Sequence, residues 1–282
     1  MSGAEVNVSI GLSRLGHPVE YLTRLGDDPF GHYIENTLKK NEIGTSLVTY
    51  DDVYRTGIQL KNRVTDGSDP YAPYYRKGSA ASHITVSEID AINLADVELV
   101  HVTGIPPALS QSAREATFRL MDRAKENGIF ITFDPNLRPA LWEDEETMCT
   151  VINQLAAKAD VVLPGIGECK ILAGTEDKKE AADFYQKLGV KTVIIKDGSK
   201  GAYVQNADEN YNVAGYKVEK VVDTVGAGDG FAVGVLSGIL EGLDLKTSVK
   251  RGNAIGAIQV MNIGDNEGLP TPEELKAFQE SN

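Results

Sequence analysis

A chain of 282 residues, 41% hydrophobic and 24% charged, suits a globular unit of α/β size that buries a sizeable core. Its 28 basic and 41 acidic side chains leave a net charge of −13, which excludes nucleic acid and anionic membrane as general partners, while a local basic pocket still suits a small anion. Two cysteines, Cys149 and Cys169, exclude a disulfide framework or thiolate zinc cluster, and the four histidines lack metal-ligand spacing.

Met1 to Leu12 carry no basic stretch ahead of an apolar core. The longest apolar run, Phe231 to Leu240, is ten residues, against the ~20 of a membrane span. A cytoplasmic protein is expected.

In chain order, Thr45–Tyr50, Gly57–Val64 and Tyr71–Lys77 predict short strands without an intervening helix, and Thr65–Pro70 between the last two is a turn signal. A small sheet inserted at about 45–80 is expected to act as a lid or an oligomer contact; an extra hairpin without a role is the plainer reading. From Val97 onward, strands and helices alternate. Strands are predicted at Glu98–Val102, Ile129–Phe133, Asp160–Leu163 and Thr192–Ile195. The helices between them are Ser110–Asn127, Glu145–Lys158 and Lys179–Leu188, with Gly128 and Gly189 as stops. This rhythm predicts a doubly wound, mainly parallel α/β sheet with helices on both faces. Gly201–Gln205 and Tyr211–Val218 predict antiparallel strands at one sheet edge, and Val249–Met261 an apolar helix.

The strongest local signal is Asp223-Thr224-Val225-Gly226-Ala227-Gly228-Asp229-Gly230-Phe231, after which apolar periodicity begins. Small residues at a helix start leave N–H groups bare beside the positive end of the helix dipole, which makes an anion cradle. A carboxylate there, Asp229, would repel a bound phosphate unless it does chemistry, such as taking a proton from an attacking hydroxyl. A tight helix start with Asp229 as an ordinary first-turn charge remains the competing reading. No Walker-type P-loop occurs, and Phe231 stands where a dinucleotide fingerprint needs its third glycine.

The Asp223–Asp229 segment resembles the D-T-x-G-A-G-D signature of the PfkB, or ribokinase-like, carbohydrate kinases at every fixed position. Gly3–Val8 with Leu12 and Arg14-Leu15-Gly16, the turn Leu25–Gly31, and the loop Lys196–Gly201 are similar to that family's segments in the same order. The resemblance implies one ribokinase-like domain over 1–282 and transfer of a phosphoryl group from ATP, with Mg2+, to a sugar hydroxyl. It implies Asp229 as base, Gly226, Ala227 and Gly228 as the anion hole, and Gly3 and Asn7 in the substrate site. It also implies Asn136, Lys196, Gly198, Ser199, Gly201, Gly226, Gly228 and Asn253 on the nucleotide side. On the residues alone, Lys196 also reads as a solvated strand-end lysine and Asn253 as a half-buried polar group.

Within the family, Tyr74–Ala80 resembles the lid motif of the 2-keto-3-deoxygluconate kinases, and Phe133–Arg138 with Leu141-Trp142 is shared by those enzymes and fructokinases. The resemblance implies Tyr74, Arg76 and Arg138 at the substrate. Two arginines supply a bidentate clamp for a sugar acid's carboxylate, which a neutral hexose does not need. Surface salt bridges are the alternative for both. A sugar-acid kinase is the expected activity, with fructokinase or an inactive sugar- or nucleotide-binding protein as alternatives, and the lid is expected to join two copies of the chain.

Two departures carry expectations. The family has about thirty residues, including a central strand, ahead of the Gly-Ala-Glu segment with which this chain opens, which implies bare neighbouring strand edges and an open substrate floor. The N-x-x-E motif reads Gly165-Ile166-Gly167-Glu168, so Glu168 is left to act on magnesium through water without the partner amide.

Overall fold

The computed structural model describes residues 1–60 and 73–282. The predicted turn Thr65–Pro70, and the ends of the two strands predicted beside it, lie outside the described residues.

Helix α1 (Ala4–Arg14) leads to strand β1 (Thr23–Gly26), helix α2 (Pro29–Lys40) and strand β2 (Val48–Asp51). Sequence patterning gave no expectation for α2, in which Ile34 and Leu38 pack toward the core while Phe30 and Tyr33 stay exposed. Its start is nevertheless written locally. The Asp28 carboxylate accepts from the Phe30 and Gly31 amides, and Pro29 occupies the first turn. β1 and β2 pair in parallel, Thr23 opposite Val48. The strand predicted at Thr45–Tyr50 therefore forms a two-stranded sheet with β1, not with the lid. In the lid region, β3 (Ile58–Gln59) and β4 (Tyr74–Tyr75) pair antiparallel, Ile58 opposite Tyr75, ahead of helix α3 (Val86–Asp90).

The alternating part follows as β5 (Leu99–Thr103), α4 (Pro106–Leu109), α5 (Gln111–Glu126), β6 (Phe130–Asp134), α6 (Glu145–Ala156), β7 (Val161–Val162), α7 (Ile166–Leu172), α8 (Lys178–Lys187) and β8 (Thr192–Lys196). Strands β9 (Ala202–Gln205) and β10 (Asn210–Val213) complete a six-stranded sheet in the order β10-β9-β8-β7-β6-β5. β5 to β8 run parallel, and β9 and β10 close the edge antiparallel, as the sequence predicts. Ser110 and Asp144 cap α5 and α6, while Gly128 and Gly189, both at positive φ, release the chain after α5 and α8.

Three helices finish the chain: α9 (Ala227–Leu240), α10 (Leu245–Val260) and α11 (Pro272–Ser281). Pleating divides the core in two. Ile131, Phe133, Val193 and Ile195 pack on one sheet face with Met121, Ile152 and Tyr185 of α5, α6 and α8. Val161, Leu163, Ile194 and Val204 pack on the other with Ile10, Val233 and Ile255 of α1, α9 and α10. Helices thus cover both faces of a doubly wound sheet. α9 is apolar on every side because α1 and α10 enclose it. A Cβ on Gly234 would stand 2.5 Å from the Gly252 backbone, so glycine sets how closely α9 and α10 approach.

The β1–β2 pair and the six-stranded sheet are separate, and neither β1 nor β5 has a second strand neighbour among the described residues.

Candidate active site

The chain enters α9 through an Asx turn, in which the Asp223 carboxylate accepts from the Val225 amide at 3.0 Å. Gly226 follows at φ 75°, and a Cβ there would lie 2.1 Å from the Asp265 carbonyl oxygen, so only glycine makes this turn. Past it, a Cβ on Gly228 would meet nothing nearer than the Lys196 Nζ at 3.7 Å. The first turn of α9, with its donors and the positive end of its dipole, therefore opens onto space bordered by an ammonium group.

Asp229 in that turn is half-buried. Its carboxylate accepts from Asn7 Nδ2 at 2.7 Å and from Asn136 Nδ2 at 3.5 Å. Loss of water raises its pKa; the Asn7 bond and the Lys196 and Arg138 charges pull it down, and Glu5 pushes it up. Asn7 is buried on α1, and its Oδ1 accepts from Asn266 Nδ2 at 3.0 Å. That second bond fixes which end of the Asn7 amide meets Asp229. Asn266 is a residue the sequence reading missed, and with Asn7 259 positions away no local signal points to it.

The Lys196 ammonium bonds the Asp134 carboxylate at 2.5 Å, with the two side chains 17% and 3% exposed. The solvated strand-end reading of Lys196 is thereby corrected: the strand ends beneath other elements. Burial pushes Asp134 up to about 6, with Glu168 and Asp229 adding to it and Lys196 opposing. Burial alone would lower the Lys196 pKa; Asp134, Glu168 and Asp229 outweigh it and hold the ammonium charged. Asp134 stood inside a recognised motif without an assigned role.

Asn136 occupies φ 40°, and its amide donates to Asp134 Oδ1 at 3.2 Å in a second Asx turn. This turn aims Asn136 at Asp229. Glu168 braces it, accepting from the Leu137 amide at 2.8 Å and the Gly165 amide at 2.7 Å. Both Glu168 oxygens are thus engaged, yet each keeps a second lone pair that suits a metal-bound water. Among the described residues, no three His, Cys, Asp or Glu side chains form a metal cage. Magnesium that arrives on phosphates needs only one or two carboxylates, and Glu168, Asp134 and Asp229 interact within one locality.

Arg138 donates to the Leu137 carbonyl at 2.8 Å and is felt at Asp229. Arg76 donates to Gln59 Oε1 at 3.2 Å and lies 5.5 Å over the Tyr74 ring. Among the described residues, neither arginine has a carboxylate within ion-pair distance, in contrast to Arg24, Arg114, Arg119 and Arg251. Tyr21 stands between two charges, with its hydroxyl pKa driven up by burial and by Glu5 while Arg76 lowers it. Glu5 itself accepts from the Thr103 hydroxyl. Gly3 precedes α1 uncrowded, an added Cβ reaching only Val6 at 4.0 Å.

The remaining predicted residues gather around one crossing of the chain. Gly198 and Ser199 form a short turn with Lys200, and a Cβ on Gly201 would lie 2.0 Å from the Val213 carbonyl oxygen. Asn253 donates to the Val213 and Ala214 carbonyls at 3.2 and 3.1 Å. Its amide protons hold the exit of β10.

A family model described as pfkB family carbohydrate kinase matches residues 1–272. The chain is 46% identical over 279 residues to a 2-dehydro-3-deoxygluconokinase of Bacillus subtilis, covering 99% of this chain and 86% of that protein. It is 35% identical to the 2-dehydro-3-deoxygluconokinase of Thermoproteus tenax, covering 98% and 84%. Among solved structures, a PfkB protein from Polaromonas sp. JS666 superimposes with TM-score 0.88 at 43% identity, over 98% and 89% of the two chains. A fructokinase from Vibrio cholerae O395 bound to fructose, ADP and calcium gives TM-score 0.89 at 29% identity, over 98% and 90%.

Proposed function

This chain belongs to the pfkB family of carbohydrate kinases, and from that premise we propose that it phosphorylates 2-keto-3-deoxygluconate on its primary hydroxyl, using ATP. The product is 2-keto-3-deoxy-6-phosphogluconate. One observation carries the choice of substrate: Arg76 and Arg138 lack a carboxylate partner among the described residues, and a sugar acid brings one.

The chemistry follows from the residues around Asp229. Asn7 and Asn136 orient its carboxylate, which takes the proton of the attacking hydroxyl as the new O–P bond forms. The amides of the Gly226–Gly228 turn and the nearby Lys196 ammonium stabilise charge on the transferring group. Asp134 keeps that ammonium in place, and Glu168 keeps the Asn136 turn in place. Magnesium, when bound with ATP, would be held chiefly by the phosphates with Glu168 acting through water, and would neutralise phosphate charge. The Gly198–Gly201 turn and Asn253 form the nucleotide side. We read residues 1–282 as one such domain working in the cytoplasm, where ATP is available.

The lid strands β3 and β4, two residues each among those described, cannot bury a face alone, and Leu60 and Tyr75 are 55% and 58% exposed beside them. The chain is therefore proposed to dimerise through this region; light scattering that reports a monomer at micromolar concentration would overturn it.

The test of substrate is coupled ADP release with 2-keto-3-deoxygluconate and with fructose. Preference for the acid supports the reading. Preference for fructose would move the chain to the second reading, fructokinase, which the likeness to the fructose-bound Vibrio enzyme favours. Ligand binding without ADP release would mark an inactive binding protein.

A further inference from the structure

An amide side chain has two unlike ends, so Asn7 can act on Asp229 in opposite ways. With its NH2 group forward it donates and favours the charged carboxylate; with its oxygen forward it favours the protonated acid. The two ends have nearly the same shape, so packing around Asn7 does not decide between them. The choice lies with what stands behind it. There Asn266 Nδ2 donates to Asn7 Oδ1 at 3.0 Å, while Asn7 Nδ2 donates to Asp229 Oδ2 at 2.7 Å. Asn7 and Asn266 are 2% and 8% exposed, so water does not replace the bond between them cheaply.

Asn266 is itself held from two sides. Arg14, about two turns beyond Asn7 on α1, donates from Nη1 to the Asn266 and Leu269 carbonyls at 2.9 and 2.8 Å. The Asn266 backbone amide donates to Glu267 Oε2 at 3.1 Å. From α10, the wholly buried Gln259 donates through Nε2 to the Gly264 carbonyl at 2.6 Å and the Val225 carbonyl at 3.3 Å. The Gly264 amide in turn donates to Asp223 Oδ2 at 3.3 Å. The loop that carries Asn266 is thus tied both to the helix of Asn7 and to the turn that leads into Asp229.

We propose that Asn266 is a positioning residue of this site: it keeps the NH2 end of Asn7 on Asp229 and so makes Asn7 a partner of the carboxylate and not of the acid. Turning Asn7 over would set its NH2 group against that of Asn266, and two buried donors would face each other without an acceptor. The charged groups around Asp229 are Glu5 on α1, Asp134 and Arg138 from β6 and the loop after it, and Lys196 on β8. They act on its charge whichever way Asn7 points. The bearing on phosphoryl transfer rests on Asp229 as the base; the link from Asn266 through Asn7 to Asp229 does not.

Asn266→Leu keeps the approximate shape and removes the donor. Two quantities are measured in Asn266→Leu, Asn7→Ala and the double variant. One is the ionisation of the Asp229 carboxyl, followed by 13C NMR of the protein without sugar or nucleotide, with Asp229→Asn assigning the signal. The other is the acidic limb of the kcat profile. Asn266→Leu should raise both midpoints by about one pH unit, a tenfold change in ionisation. In the Asn7→Ala background it should move neither by more than about 0.3, because Asn266 acts only through Asn7. If Asn266→Leu does not fold, Asn266→Asp, which keeps the shape and can only accept, is compared with and without Asn7; the upward move should be larger with it by about one pH unit. A carboxyl midpoint that rises while the kcat limb stays would support the link and remove Asp229 from the role of base. An Asp229 carboxyl unmoved by the change at Asn266, or moved equally with and without Asn7, would overturn the proposal.

Discussion

The Lys196 ammonium and the Asp134 carboxylate meet at 2.5 Å across the end of β7, since their strands, β8 and β6, are not neighbours in the sheet. The pair ties three strand ends together and fixes a positive charge beside Gly228. Removing one partner strands the other in a buried site. Asp134→Asn or Lys196→Met should each cost about 3–5 kcal/mol in urea unfolding. The double variant should regain most of that stability without regaining turnover; additive stability losses would refute the pairing. In Lys196→Met, the Asp134 pKa, already raised to about 6, rises further. Its folded pKa then exceeds the unfolded one, so the variant should lose stability as pH rises through the folded value.

Asp229→Asn preserves shape and removes the proposed proton acceptor. Turnover should fall by about 10²–10⁴-fold while nucleotide affinity and the unfolding midpoint stay close to those of the parent. Near-normal turnover would return Asp229 to the role of a helix-start charge.

Asn7→Ala tests how the proposed base, Asp229, is tuned. The Asn7 hydrogen bond favours the charged carboxylate, so its loss raises the Asp229 pKa above a value that burial has already lifted. Activity needs the carboxylate and is lost as pH falls through that pKa. The acidic limb of the kcat profile should therefore move to higher pH in Asn7→Ala. An unmoved limb, with kcat merely scaled down, would mean that Asn7 only supports the fold.

Substrate choice is tested at the arginines. Arg76→Ala and Arg138→Ala should each raise KM for 2-keto-3-deoxygluconate by about 10- to 150-fold, from roughly 1.5–3 kcal/mol per charge-assisted bond. Activity on fructose should change little. Lysine at either position should recover only part of the loss, because a point charge lacks the planar fork. Equal losses on acid and neutral sugar would place the arginines outside the carboxylate clamp.

The readable parts of this site are those encoded within a few residues. The Asp223–Asp229 turn, its glycine at positive φ and the helix behind it are local, and the strands from Leu99 to Lys196 show their own alternation with helices. The partners that give the turn its chemistry come from far along the chain: Asn7 meets Asp229 across 222 positions, Thr103 meets Glu5 across 98, and Lys196 meets Asp134 across 62. No periodicity records such meetings. Glu168 lies between the cases. Its bond to the Gly165 amide is local to the start of α7, whereas its bond to Leu137 depends on how two loops come together.

Because α9 is enclosed by α1 and α10 down to glycine contact, Asp229 is carried by one of the most deeply seated segments of the molecule. Such segments open only with the whole fold, whereas a short hairpin such as β3–β4 opens at small cost. Heating should then separate two events. Affinity for the acceptor, proposed to involve the hairpin's Tyr74 and neighbouring Arg76, fades first, while the capacity for phosphoryl transfer survives until the protein melts. A loss of kcat well below the calorimetric transition would show that the base is less firmly seated than its helix.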